Sequence, residues 1–202
     1  FYFGQCFRYE RPQSGRYREF FQFGAELIGS ATPETDAEAI ALAVAMIESL
    51  GLRDYKIRIG HIGVLRQKLA DAGVPKEKTA EVLQKLDKKL YDEARPMMED
   101  MNIGTHDVEE IFELTETVGG IEVIDKVPGE PGEYLRSLIG ILSAMGVEDV
   151  EIDLGVVRGL DYYTGMVFEA EAPVLGAEKQ ICGGGSYTLS ELFGGERVFS
   201  TG

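Results

Sequence analysis

Residues 19–28 alternate between two kinds of side chain, which indicates a β-strand, because side chains two residues apart share one face of a strand. One face is mainly apolar and is predicted to face a core: Glu19, Phe21, Phe23, Ala25 and Leu27. The other holds an aromatic ring, an amide, a glycine and a carboxylate: Phe20, Gln22, Gly24, Glu26 and Ile28. The segment 11–16 contains Pro and no apolar side chain, so a β-hairpin with an arginine-bearing loop is predicted.

The polar face of this hairpin has two interpretations. Exposed strands often carry Arg, Glu and Gln, so a solvated face is the plainer one. Phe20 beside Gly24 favours a binding surface, since an aromatic ring next to a glycine suits a planar ligand that comes close to the backbone.

Further along the chain, hydrophobic periodicity predicts alternating helices and strands. The expected helices cover about 32–50, 64–72, 76–91, 107–118 and 131–145, with one more starting near Ser186 or Thr188, and the expected strands cover 55–59, 150–156 and 166–172. Strand-like alternation nearly disappears between about 62 and 130. We therefore expect three segments: a catalytic core over residues 1–61, a helical insertion over 62–130 and a continuation of the core over 131–202.

Lysines and acids are interleaved in the predicted insertion, notably over 76–91. Such a charge run is typical of a solvated helix face. A role in contacting nucleic acid is the sharper alternative, and the charges alone leave it open.

The composition of the chain bears on the cellular compartment in which the protein works. The 202 residues hold no apolar run near the roughly 18 residues of a membrane span, and no basic-then-apolar start that would indicate a signal peptide. The two cysteines, Cys6 and Cys182, lie far apart without a CxxC partner, which fits a reducing compartment and argues against a disulfide scaffold or a zinc site. We expect a cytoplasmic protein.

The histidines and the net charge argue against a metal site, a histidine-based nucleophile and a general nucleic-acid surface. His61 and His106 stand in unrelated contexts, so neither a metal site nor a histidine-based nucleophile is expected. His61 is expected to be a loop or core residue. The net charge of −15 disfavours a general nucleic-acid surface, although the hairpin arginines form a local basic site.

The chain starts at Phe1, in what looks like mid-strand, and ends on Ser200-Thr201-Gly202. We expect it to be a fragment of a longer polypeptide.

The three glycines 183–185 stand before the last predicted helix, which invites comparison with a phosphate-binding loop. Neither GxxxxGK[ST] nor GxGxxG with a βαβ unit is present. These glycines are expected to let the backbone pass close to a bound small molecule.

Three separated stretches resemble one enzyme family. FRYERPQSGRYREFFQFGAE, residues 7–26, resembles motif 2 of class II aminoacyl-tRNA synthetases in the form typical of histidyl-tRNA synthetases. VRGLDYYTGMVFE, residues 157–169, resembles that family's own histidine motif. CGGGSY, residues 182–187, resembles its second histidine motif, GGRYDGL, with Ser186 and Thr188 where Arg and Asp are usual.

The resemblance covers nearly the whole chain and implies an α+β fold, a class II synthetase-like antiparallel β-sheet flanked by helices. It implies that L-histidine attacks the α-phosphate of ATP through its carboxylate, with Mg²⁺ neutralising the pyrophosphate, before transfer to tRNA(His). A homodimer is implied for the whole protein. No protein side chain is expected to ligate a metal.

The resemblance also assigns residues to ATP. Arg8 would hold the α-phosphate and Arg16 the far end of the triphosphate. Glu10 would meet the adenine amino group, and Phe20 would stack on the adenine ring. Arg8 would thereby be a catalytic residue.

On the histidine side, Gln22 would contact the substrate near its carboxylate or amino group, and Glu26 would accept a hydrogen bond from an imidazole N–H. Tyr163 and Tyr187 would close the imidazole pocket. Arg158 would lie against the histidine carboxylate and the α-phosphate, as the second catalytic residue.

Each assignment has a structural alternative. Arg158 could instead pair with Glu151 or Asp153, and Tyr187 could simply pack. Tyr162 and Tyr163 cannot both face the site in a strand of period two, so one of them is expected in the core.

Motif 1, motif 3 and the anticodon-binding domain of the family are absent from these 202 residues, so the isolated chain is expected to be weak or inactive. One rival is a non-catalytic paralogue, the regulatory subunit of ATP phosphoribosyltransferase, which the altered glycine motif favours. The arginines Arg8, Arg16 and Arg158 favour the enzyme. A synthetase-like interaction module is a third possibility.

Overall fold

The computed structural model describes residues 1–9, 17–156, 162–175 and 179–202. The strands in these ranges are β1 (Tyr2–Phe7), β2 (Glu19–Gly24), β3 (Leu27–Ile28), β4 (Lys56–His61), β5 (Val118–Gly119), β6 (Val150–Asp153), β7 (Tyr163–Glu171), β8 (Gln180–Tyr187) and β9 (Ser200–Thr201). The α-helices are α1 (Pro33–Ser49), α2 (Ile62–Asp71), α3 (Lys76–Asp87), α4 (Tyr91–Asp100), α5 (Thr105–Thr115) and α6 (Glu130–Ala144). Short 3₁₀ segments cover Ile121–Lys126, Pro173–Leu175 and Leu189–Phe193.

A seven-stranded sheet organises the fold, in the order β3-β9-β8-β7-β4-β6-β5. Within the described ranges its neighbouring strands are antiparallel except for β4 and β6, which run parallel with Ile57 opposite Val150. The predicted α+β fold, a central sheet flanked by helices, is confirmed. The parallel pair makes the sheet mixed rather than wholly antiparallel.

The sheet and the two long helices α1 and α6 share one hydrophobic core. In β4, Ile57 and Ile59 point into this core, whereas Arg58 faces outward, as the alternation predicted. Arg58 lies 3.1 Å from Glu151 and 3.7 Å from Asp153. The two carboxylates considered for Arg158 are therefore already next to another arginine.

Helix α1 begins and ends close to where the sequence predicted. The N–H of Thr32 donates to the hydroxyl of Thr35 at 3.2 Å, which satisfies one backbone group at the helix start. Gly51, just past the end, has a φ of 82°, a left-handed conformation that glycine adopts without a steric penalty.

Helices α2 to α5 enclose a second hydrophobic cluster, which runs from Ile62 to Phe112. The single helix predicted over 76–91 is wrong: α3 ends at Asp87, Lys89 takes a φ of 53°, and α4 begins at Tyr91. The break lets the apolar faces of both α3 and α4 reach the cluster, through Leu86 and Met98. Periodicity does not reveal it, because the apolar spacing continues across the turn.

The helix predicted over 107–118 also ends earlier, at Thr115. Val118 and Gly119 instead form β5, at the edge of the sheet beside β6. The sheet is thus rejoined before residue 130, and the division into three segments stays a prediction.

Charged side chains on α3 and its neighbours pair with one another. Lys78 lies 2.9 Å from Glu81, Lys85 contacts Glu93 at 2.5 Å, and Lys89 lies 3.4 Å from Glu116. Exposed pairs of this kind contribute little to stability.

The helix predicted near Ser186 or Thr188 is wrong, because Gln180–Tyr187 is strand β8 and only a 3₁₀ turn follows. A Cβ on Gly184 would lie 1.9 Å from the carbonyl oxygen of Gly202, and one on Gly185 would lie 2.5 Å from that of Met166. These two glycines therefore bring β8 close to its neighbouring strands, and the expected approach of a small molecule stays a prediction. No helix in the described ranges is long and apolar enough to cross a membrane.

Two glycines of α6 should respond in opposite ways to replacement by alanine. A Cβ on Gly132 would lie 2.0 Å from the carbonyl oxygen of Val127, whereas a Cβ on Gly140 would meet nothing within 4 Å. We expect Gly132→Ala to lower the free energy of unfolding by about 1–3 kcal/mol through overpacking. Gly140→Ala should raise it by up to about 1 kcal/mol through helix propensity. Denaturant unfolding of both variants checks this, and shifts of the midpoint in the same direction would contradict it.

Candidate functional site

The β1–β2 hairpin collects several predicted site residues on one face. Its register pairs Cys6 with Phe20 and Gly4 with Gln22, so Arg8, Phe20 and Gln22 share that face. The guanidinium carbon of Arg8 lies 4.4 Å from the centre of the Phe20 ring, and Arg8 Nε donates to the carbonyl of Tyr17 at 2.8 Å. A cation held over an aromatic ring joins a charge to a stacking surface.

The opposite face of the hairpin is not a core face, contrary to the sequence prediction. Phe3 is 70% exposed and Phe21 67%, and their rings stack on each other with centroids 5.5 Å apart. Within the described residues, β1 and β2 form a separate two-stranded sheet, and neither buried cluster includes a hairpin residue. Alternation alone cannot reveal whether a second layer covers a strand.

Tyr2 occupies the space beside Gly24. A Cβ on Gly24 would lie 2.3 Å from the ring of Tyr2, and the amide of Gln22 donates to the hydroxyl of Tyr2. An aromatic ring from the neighbouring strand thus lies beside Gly24, and the close approach of a ligand to this glycine stays a prediction. Gln22, predicted to contact histidine, is here hydrogen-bonded to a phenol.

Three predicted histidine-binding residues come together where β7 begins and β8 ends in the large sheet. The hydroxyl of Tyr187 donates to Glu26 Oε2 at 2.6 Å. Tyr163 is the cross-strand partner of Tyr187, so their side chains share a face, and Tyr163 is only 5% exposed. Burial, followed by the hydrogen bond and the charge of Glu26, raises the pKa of Tyr187. The phenol therefore stays protonated near neutral pH, as a donor toward the carboxylate.

Tyr162 belongs to the same aromatic group, which the sequence reasoning missed. Its ring lies 4.6 Å from that of Tyr163 and 5.8 Å, edge-on, from that of Tyr187. Tyr162 precedes β7 and lies in a turn. The period of two that was expected to separate the two tyrosines therefore does not apply to them.

Three assigned residues lie outside the described ranges: Glu10, Arg16 and Arg158. Their predicted roles stay predictions. Among the described candidates, Arg8 and Phe20 meet in the hairpin, and Glu26, Tyr163 and Tyr187 meet at the sheet.

A buried carboxylate beneath this site was also missed. Asp36 is 1% exposed and accepts hydrogen bonds from Ser186, at 2.8 Å, and from Tyr134, at 2.7 Å. No prediction from the sequence singled out Asp36. Its spacing from Ile40 and Ile47 puts it on the buried face of that helix, which was the available signal.

His61 is structural, as expected. Its Nδ1 accepts the N–H of Gly63 at 3.1 Å and caps α2, and its ring lies edge-on to Tyr134 at 5.4 Å. Burial, helped by the charge of Arg66, lowers the pKa of His61 to about 4. The imidazole is therefore neutral near pH 7.

The geometry suits a ligand with two distinct ends. The hairpin offers a cation and an aromatic surface. The region where β7 begins and β8 ends offers a carboxylate with phenols. Among the described residues, no group of three His, Cys, Asp or Glu side chains is arranged to hold a metal ion.

The family model and the curated relatives that match this chain carry descriptions of the same enzyme. The family model for histidyl-tRNA synthetase matches residues 1–202. The histidine–tRNA ligases of Methanosarcina acetivorans and Archaeoglobus fulgidus are each 44% identical to the chain, over 208 and 206 residues. Both alignments cover 100% of this chain and 49% of the relative. The chain thus spans about half the length of these curated relatives.

Solved structures agree on the fold. A Bacillus halodurans protein, described as an ATP phosphoribosyltransferase regulatory subunit/histidyl-tRNA synthetase, superposes with a TM-score of 0.83 at 29% identity, over 99% of this chain and 54% of that one. Histidyl-tRNA synthetase from Nostoc sp. PCC 7120 superposes with a TM-score of 0.82 at 23% identity, over 98% of this chain and 50% of that one. The match over all residues, the 44% identity and the shared fold lead to one conclusion: the chain belongs to the histidyl-tRNA synthetase family.

Proposed function

We propose that the chain is a catalytic-core segment of a histidine–tRNA ligase, which activates L-histidine with ATP and transfers it to tRNA(His). The observation that supports this most directly is the contact of Glu26 with Tyr187 opposite Tyr163, because it brings one residue from each of the three family motifs into one carboxylate-and-phenol pocket. Since the chain spans half of its relatives, we propose that motif 1, motif 3 and the anticodon-binding domain belong to the remainder. We call the polypeptide that includes this remainder the full-length ligase.

On the ATP side, Arg8 holds the α-phosphate and Phe20 stacks on adenine. Their contact at 4.4 Å supports this pairing, since the ring orients the guanidinium before the nucleotide arrives. Arg16 and Glu10 are proposed for the γ-phosphate end and the adenine amino group. Arginine suits phosphate oxygens because its planar fork donates two parallel hydrogen bonds.

On the histidine side, Glu26 accepts the imidazole N–H while the tyrosines enclose the ring. Gln22 leaves the hydroxyl of Tyr2 to contact the amino acid near its carboxylate or amino group. A substrate without the N–H loses this hydrogen bond to the carboxylate, which Tyr187 also contacts, and this loss gives selectivity. Arg158 is proposed between the histidine carboxylate and the α-phosphate.

The chemistry needs no general base, because the histidine carboxylate is already the nucleophile. The barrier lies in bringing two anions together and in stabilising charge on the phosphate oxygens, which positioned arginines lower. Mg²⁺ usually binds through substrate phosphates with one or two carboxylates. No cluster of metal-ligating side chains stands among the described residues, so Mg²⁺ would arrive on the triphosphate and neutralise the pyrophosphate.

The remaining partners follow from the same proposal. A homodimer, a cytoplasmic location and contact with tRNA(His) are proposed for the full-length ligase. The helices that enclose the second hydrophobic cluster are one candidate surface for the tRNA.

A regulatory subunit of ATP phosphoribosyltransferase is the second candidate, because the Bacillus halodurans neighbour is described both as such a subunit and as a histidyl-tRNA synthetase. Such a protein would bind histidine without forming the adenylate. Binding and exchange measurements therefore separate the two candidates.

We expect the full-length ligase to catalyse ATP–pyrophosphate exchange that depends on histidine. The reaction requires the ATP side of the site as well as the histidine side, whereas a histidine sensor needs only the histidine side. Isotope exchange is measured with each amino acid in turn, beside calorimetric titration with histidine. Histidine binding without exchange would indicate the regulatory subunit, and exchange with no amino acid would refute the ligase.

Replacing Glu26 with Gln should lower kcat/KM for histidine by about 10- to 150-fold, the equivalent of about 1.5–3 kcal/mol for one hydrogen bond to a charged group. The amide keeps the shape and loses the charge. The matched control is Glu38→Gln, at an exposed glutamate of α1, which should keep the rate of the unaltered ligase. Equal rates for both variants would exclude Glu26 from the pocket.

Replacing Arg8 with Gln should lower kcat in the exchange reaction by at least about tenfold, because a charge-assisted contact to the phosphate is lost. Arg53→Gln is the control, since Arg53 is exposed and pairs with Glu48 at 3.6 Å. That surface pair contributes little. Steady-state kinetics at saturating histidine and ATP measure the effect, and an unchanged kcat for Arg8→Gln would remove Arg8 from the mechanism.

A further inference from the structure

A buried hydrogen-bond network joins three elements directly behind the proposed pocket. Its centre is the carboxylate of Asp36 in α1, which receives the phenol of Tyr134 from α6 and the hydroxyl of Ser186 from β8. Ser186 lies 2.9 Å from Oδ1 and 2.8 Å from Oδ2. Within the described ranges, no cation contributes to the environment of this carboxylate. The hydroxyl groups of Ser186 and Tyr134 are thus its hydrogen-bonded partners from β8 and α6. The hydroxyl of Thr201 in β9 adds a smaller contribution, which also lowers the pKa of Asp36.

The burial of Asp36 makes these hydrogen bonds important. Burial raises the pKa of Asp36, and the hydrogen bonds from Tyr134 and Ser186 act in the opposite direction. A buried acceptor that loses its donor bears the cost of desolvation without compensation. The network therefore resists any shift of Ser186 away from α1.

The backbone pairing is irregular at the same place. Tyr163 pairs with Tyr187 and Val167 pairs with Gly185, so three residues of β7, 164–166, lie opposite Ser186 alone. Ser186 and Tyr187 stay paired with Thr201 and Ser200 of β9, but at such a bulge the β7–β8 ladder no longer fixes each residue. On this edge, the hydroxyl of Thr164 contacts the carbonyl of Ser186 only at 3.4 Å.

Gly165 leaves room for the anchored side chain. A Cβ on Gly165 would lie 3.3 Å from the Cβ of Ser186, tighter than nearly all real contacts of this kind. The bulge and the glycine thus form the space in which Ser186 reaches Asp36. This also accounts for Ser186 as a departure from the family pattern, because its hydroxyl is fully used.

Ser186 is the neighbour of Tyr187, and successive side chains of a strand point to opposite faces. Ser186 therefore faces the helices while Tyr187 faces Glu26, at 2.6 Å. We propose that Asp36 is a positioning residue: through Ser186 it fixes β8 at the bulge and thereby holds Tyr187 against Glu26 in the histidine pocket. The effect that this assignment predicts on KM for histidine rests on the proposed function.

The test compares two variants that each remove one hydroxyl from Asp36. Direct replacement of Asp36 would remove the shared acceptor of these hydroxyl groups at once and risks misfolding, so Ser186→Ala and Tyr134→Phe are used. In the full-length ligase, Ser186→Ala should raise KM for histidine about 3- to 10-fold, the size expected for one hydrogen bond. KM for ATP and kcat should stay within about twofold. Tyr134→Phe takes away a bond of similar length from α6 and should leave KM for histidine unchanged.

A conservative variant completes the kinetic test. Ser186→Thr retains the hydroxyl and should restore KM for histidine to within about twofold of the unaltered ligase. An equal rise of KM in Ser186→Ala and Tyr134→Phe would reduce Asp36 to a general structural role. No rise in Ser186→Ala would overturn the proposal.

A structural readout is independent of activity. Crystal structures of both variants should show the Tyr187–Glu26 hydrogen bond kept in Tyr134→Phe and lengthened beyond hydrogen-bond distance in Ser186→Ala. If the unaltered ligase neither binds nor activates histidine, the proposed function fails and this comparison alone decides the positioning role. An intact bond in Ser186→Ala would overturn that role.

Discussion

Strand β8 is the element on which the rest of the structure depends. It lies between β7 and β9, and its glycines allow both neighbours to approach closely, because a Cβ on Gly184 or Gly185 would collide with backbone carbonyls. Through β9 it reaches β3 and so the segment that carries Glu26. Through its own side chains it contacts Asp36 on one face and Glu26 on the other. A residue larger than glycine in its centre would separate these contacts at once.

Elements of the fold were predictable where the residues of a single segment determine both its secondary structure and its buried face. The alternation in β4 and the helical spacing of α1 were sufficient, since each buries a single regular face. The aromatic face of the hairpin, the break at Lys89 and the strand at 180–187 were not predictable in this way. Each depends on what lies beside the segment: a missing second layer, a second helix packing on the same cluster, or a neighbouring strand that needs glycine.

The candidate site shows the same division. Motif resemblance selected Arg8, Phe20, Glu26, Tyr163 and Tyr187, and the structure brings the first two together in the hairpin and the other three together at the sheet. Tyr162 escaped because a turn, rather than a strand, orients its ring. Asp36 escaped because a carboxylate in the first turn of a helix has a sufficient local explanation as a favourable charge near the helix start. Only the long-range contact with Ser186 distinguishes a favourable charge at the helix start from a carboxylate that positions β8.

The parallel pairing of β4 with β6 has a consequence for the order of folding. Arg58 and Glu151 lie side by side although 93 positions separate them along the chain. Forming this pair closes a loop that contains α2 to α6, and such closure costs conformational entropy before any contact compensates for it. Helices α2 to α5 make mostly local contacts and form their own cluster, so we expect them to fold first and shorten the loop. The helical group would then act as a preformed spacer that brings the two halves of the sheet into register.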